Sequence, residues 1–79
     1  MPARGDQRTT TILERLRKIA RRLATIDPEA AALRRERAEL MLEARALDPP
    51  VTMVELGAAG GLSKDAVADV LRKARARSA

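Results

Sequence analysis

Apolar residues recur along this chain at helical spacing. Ile12, Leu16, Ile19, Leu23 and Ile26 follow at intervals of four, three, four and three, a heptad seam flanked by Leu13 and Ala20. Arg15, Arg17, Lys18, Arg21 and Arg22 cover the other side, so the first predicted helix is amphipathic and basic. Thr11 and Glu14 fit a capping box at its start, leaving residues 1–10 as a flexible polar arm. The pattern stops at Asp27-Pro28-Glu29, where Asp27 suits an N-cap and Pro28 the first helical position of a second helix. That helix carries Ala30, Leu33, Leu40, Ala44 and Leu47 in register, with Arg37 interrupting the stripe. Met41 and Leu42 widen its apolar surface, which predicts more than one packing neighbour. Asp48-Pro49-Pro50 ends it. A short connection folds the second helix back on the first.

From Val51 the periods shorten. Thr52 and Glu55 make another capping box, with Val51 and Leu56 placed as a hydrophobic staple. Gly60-Gly61 breaks the short helix, Gly61 supplying a left-handed turn residue, and Ser63 caps the helix that follows. Within it Val67, Val70, Leu71 and Ala74 share one face. Two short helices around a glycine turn predict a helix-turn-helix. The whole is thus expected to be all-α: predicted helices at 12–26, 28–47, 52–60 and 63–77, with an N-terminal antiparallel hairpin (11–48, the expected dimerisation unit) ahead of a helix-turn-helix with a basic tail (51–79).

Composition narrows the chemistry. The 79 residues contain no Cys, His, Phe, Trp or Tyr. This removes disulfides, thiol nucleophiles, imidazole acid–base catalysis and the usual zinc sites, and no residue set supports an enzyme, a metal or a cofactor. Without aromatic faces there is also no stacking platform for single-stranded bases. Gly57 to Lys64 is no phosphate loop, because Ser63 precedes Lys64 and the Gly-Lys-Ser/Thr order is missing. No run reaches the length of a membrane span, and a basic helix without Trp or Phe anchors is a poor membrane binder; the expected compartment is the cytoplasm. The net charge is +5, concentrated at the ends. Residues 1–25 hold seven basic and two acidic groups, residues 26–50 four and six, and residues 51–79 five and three. The middle helix reads as scaffold and the ends as the parts that meet an anion.

The stretch Val51 to Leu71 resembles the DNA-binding unit of bacterial helix-turn-helix repressors, including the lac-repressor and Cro types. The matching elements are Val51-Thr52, Glu55-Leu56, small Gly57 where the helices cross, Gly61-Leu62-Ser63 at the turn, and Val67 and Val70 beneath. Gly60 departs from the pattern, in which Ala or a larger apolar residue is commoner. The resemblance covers the reading unit alone. It implies a small regulator of transcription of the kind that phages, plasmids and bacteria encode, binding double-stranded DNA. The Ile12-Leu16-Ile19-Leu23-Ile26 seam, joined to a small core, separately predicts a homodimer through the first helix, although the pattern alone leaves open whether the seam packs within the chain or across two copies. The resemblance puts Ser63, Lys64, Asp65, Ala68, Asp69 and Arg72 on the groove-facing side of the recognition helix, followed by Lys73 and Arg75. Lys64 and Arg72 suit phosphate or guanine edges, whereas Asp65 and Asp69 can accept from cytosine N4 but otherwise repel phosphates. The two acids keep an alternative open, a helical interaction module that binds RNA polymerase or another regulator and reads no DNA itself.

Overall fold

The structure, a computed structural model, describes residues 4–78, and the side chains of residues 7–77. Among the described residues the chain forms four helices and no strand: α1 (Arg4–Leu23), α2 (Ala30–Arg45), α3 (Met53–Gly60) and α4 (Lys64–Ser78). The all-α architecture is as expected.

The first helix differs from expectation at both ends. It begins at Arg4, so residues 4–10 are helix where a flexible arm was predicted; residues 1–3 lie outside the described residues. Thr11 sits inside the helix, and its hydroxyl donates to the Gln7 carbonyl 3.0 Å away. That is the back-bond a hydroxyl makes within a helix, so Thr11 is no N-cap. A polar sequence signals exposure, and exposure suits the outer turns of a helix as well as an arm; once nucleated, the helix gains a hydrogen bond with each added residue. At the other end α1 stops at Leu23. Thr25 closes it, the backbone amide (3.3 Å) and hydroxyl (3.0 Å) both donating to the Arg22 carbonyl. Ile26 is therefore in the connection and fully exposed.

Asp27 organises that connection. Its Oδ1 accepts from the Glu29 amide at 2.8 Å while Oδ2 accepts from Arg22 Nε at 2.9 Å. The bond to Glu29 closes a turn ahead of the helix and is not its N-cap. α2 starts at Ala30 with Glu29 in the N-cap position and no side-chain cap bond, so Asp27 and Pro28 both fall before the helix start expected of them, and α2 ends at Arg45, two residues before Leu47. Glu43, near the end of α2, lies beside Gln7, Arg8 and Ile12 near the start of α1, which makes the pair antiparallel. Residues 46–52 then fold back: the Val51 amide donates to the Ala44 carbonyl and Arg45 Nη1 to the Val51 carbonyl, at 3.1 and 3.0 Å.

Each helix leans on two others. α1 packs on α2 and α3, and α4 packs on α2 and α3 from the other side. Leu16, Met41, Leu56, Val67 and Leu71, at least one from every helix, are the largest fully buried side chains. The width of the α2 apolar surface is thereby explained, since one helix serves two partners. The Ile/Leu seam is also accounted for. Ile12, Leu16 and Ile19 are 4%, 0% and 5% exposed within a single chain. They line its own core and leave no apolar stripe on α1 for a second copy, contrary to the expected dimerisation role; Leu23 is only half-buried and Ile26 stands outside the helix.

Candidate nucleic-acid interface

The corner between α3 and α4 is built by local chemistry the sequence states openly. Thr52 caps α3, its Oγ1 accepting from the Glu55 amide at 3.1 Å and donating to Glu55 Oε1 at 2.9 Å. Ser63 caps α4, its Oγ accepting from the Ala66 amide at 3.2 Å. Between them Gly61 adopts φ 71°, the left-handed conformation expected of it. The Leu62 amide then donates to the Gly57 carbonyl at 2.8 Å, the six-to-one bond that closes a helix end.

Two other glycines make room for this closure. A Cβ on Gly57 would lie 2.5 Å from the Leu62 carbonyl oxygen and 3.5 Å from Val67 Cγ2, so only glycine lets the turn fold this tightly over α3. A Cβ on Gly60 would meet Met41 Cε at 2.8 Å and Arg37 Cδ at 3.9 Å. The departure from the repressor pattern at Gly60 thus has a local cause: two α2 side chains cross the end of α3 there. Ala20 of α1 backs the turn from the other side, its Cβ 3.6 Å from where a Gly61 Cβ would sit.

With Val67, Leu71 and Ala74 buried beneath, α4 presents its opposite side to solvent. Ser63, Lys64, Asp65, Ala68, Arg72 and Arg75 are all exposed there. Asp69 is partly exposed on the same helix. Its carboxylate pairs with the Arg72 guanidinium and, at 3.0 Å, with Lys73 Nζ. The hydrogen bond from Lys73 is the main reason its carboxyl is held below the usual carboxylate range, and the charges of Lys73 and Arg72 add to it. One of the two acids on the face is thus electrostatically covered by the protein itself.

Lys73 sits at the side of that face, where α4 meets α2. It lines a groove with Arg34, Arg35, Arg37 and Arg77. The three α2 arginines were not among the expected interface residues, because the negative balance of residues 26–50 disguised a local cluster of cations. The break that Arg37 makes in the apolar stripe was the available signal. Among the described residues no helix is long and apolar enough to cross a membrane. The chain matches no known protein family, no curated protein and no solved structure.

Proposed function

We propose that this protein binds double-stranded DNA, inserting α4 into the major groove as a recognition helix, and that it acts as a small transcription regulator on cytoplasmic DNA. The observation that carries this reading is the α3–α4 corner. A turn closed by three glycines and two caps fixes α4 so that its outer side is free along its length, with Lys64, Arg72 and Arg75 directed to solvent. An α-helix fits the major groove of B-form DNA, and cations at its ends can reach the flanking phosphates. Asp69, neutralised by Arg72 and Lys73, does not oppose that approach. Asp65 makes no ion pair among the described residues and is the group that can accept from cytosine N4.

A single α4 covers one half-site. Pairing two copies as a homodimer would set two such helices about 34 Å apart on one side of the duplex. With the α1 seam taken up in the core, that pairing uses another surface.

Mobility shifts on a selected duplex and on a scrambled one, over a range of salt, test the reading. Lys64→Ala and Arg72→Ala should each keep the helical spectrum and lower the log–log salt slope by about one if the group meets a phosphate, or reduce discrimination by about 1–3 kcal/mol at one base pair if it reads a base. Variants at these two positions that bind both duplexes as the parent does would move the function to the alternative, a protein-interaction module.

A further inference from the structure

The groove between α2 and α4 has no structural explanation in the fold. About 240 Å³ in volume, it is lined by Ala31, Ala38 and Val70 and by five cationic side chains, Arg34, Arg35, Arg37, Lys73 and Arg77. Only Lys73 has a counter-ion, Asp69; among the described residues the four arginines make no ion pair. Arg37 is the sharpest case. Its Nε is buried without a hydrogen-bond partner among the described residues, and its stem passes over Gly60 at the end of α3. Burial, and then the charge of Arg34, weaken its hold on its proton. A guanidinium stays ionised under all ordinary conditions, so a partly buried charge persists there with no ion pair among the described residues. Folding alone gives no reason to gather these groups, because like charges side by side at the edge of a core are unfavourable. An anion seated among them would supply the missing acceptor.

The groove also joins the α4 face. Asp69 holds Arg72 on that face and Lys73 on the groove wall through one carboxylate. A polyanion lying along α4 therefore meets the groove next. We propose that this α2–α4 groove seats a backbone phosphate of the bound duplex, its oxygens accepting hydrogen bonds from Arg37 and Arg34 of α2 together with Lys73 and Arg77 of α4. The inference rests on the DNA-binding reading and deepens it: α2 becomes a second, sequence-independent contact that sets how α4 enters the groove. Arginine suits the task, since its planar fork matches the oxygens of a phosphodiester.

Two variants test it in the full chain. Arg37→Met keeps the stem over Gly60 and removes the guanidinium. Arg34→Gln changes an exposed side chain, so it retains the fold even if the first variant does not. Both should weaken binding to selected and scrambled duplex by the same factor, because a phosphate carries no sequence information, and each should lower the salt slope by about one. Arg37→Met should also melt no lower than the parent, since it removes a buried Nε that has no hydrogen-bond partner among the described residues. If Lys64→Ala and Arg72→Ala weaken binding while Arg37→Met and Arg34→Gln leave affinity and slope unchanged, the groove proposal falls and the DNA reading stands. If the parent binds no duplex, both fall. A loss confined to the selected duplex would also overturn the proposal, because it would make these arginines readers of bases.

Discussion

Gly57, Gly60 and Gly61 stand close together in the chain and do three different things. Alanine at Gly57 would drive its Cβ into a backbone carbonyl 2.5 Å away. The turn has to open, at a cost of about 1–3 kcal/mol even after the helix-propensity gain of losing a glycine. At Gly60 the obstacle is the methyl end of Met41, which can move, so Gly60→Ala should change stability by less than about 1 kcal/mol. At Gly61 space is ample but φ is positive, and alanine there should cost about 1 kcal/mol. The urea midpoint should be lowest for Gly57→Ala, next for Gly61→Ala and highest for Gly60→Ala; equal losses would mean that the closure does not depend on the Gly57 contact. Asp69 gives a second residue-scale expectation. Its carboxyl is held below the ordinary range in the fold, so its stabilisation is present above the unfolded-state value and is lost as pH falls through the folded one. The melting temperature of Asp69→Asn should therefore lie below that of the parent at neutral pH and converge with it in acid. Because the ion pairs are exposed, added salt should narrow the neutral gap.

At the scale of the helix, the three predicted hydroxyl caps separate cleanly. Thr52 and Ser63 each accept from a backbone amide three residues on, whereas Thr11 turns its hydroxyl back into α1. Thr52→Ala and Ser63→Ala should each cost about 1 kcal/mol in thermal unfolding. Thr11→Ala should be neutral or slightly stabilising, since alanine is the better helix former and no cap is lost. A Thr11→Ala loss equal to the other two would show that α1 begins at Thr11 in solution. The contrast has a physical source. All three sites offer a Ser or Thr with suitable residues after it, but only at Thr52 and Ser63 does a breaker precede the hydroxyl: Pro49-Pro50 in one case and Gly60-Gly61 in the other. Between Gly5 and Thr11 there is neither proline nor glycine, and the helix extends backwards through that stretch to Arg4.

For the molecule as a whole, the decisive arrangement is that α1 packs against α2 and α3 of its own chain. Leu16 is completely buried without a second copy. Leu16→Ala should therefore cost about 3 kcal/mol in folding stability, a large share of what a domain of this size possesses. Its effect should appear as lost helicity and a lowered urea midpoint that do not depend on protein concentration. If the seam instead joined two chains, the same substitution would leave folded subunits of 8.6 kDa in sedimentation and make the midpoint concentration-dependent.

What the sequence determined by itself is whatever neighbouring residues settle among themselves. The helical class, the break at Asp27-Pro28, the caps at Thr52 and Ser63 and the left-handed Gly61 depend on contacts a few residues apart, and each is present in the structure. The α4 face could be listed in advance for the same reason, because Val67, Leu71 and Ala74 define its buried side by periodicity. What only the tertiary structure decided is which surfaces meet. An apolar stripe states that a helix packs, and it does not distinguish a neighbour in the same chain from one in another; the position of α3 against α1 made that choice for Ile12, Leu16 and Ile19. The α2–α4 groove likewise arises from residues some forty positions apart along the chain. The average charge of residues 26–50 concealed it, and it became visible once α4 brought Lys73 and Arg77 beside Arg34 and Arg37.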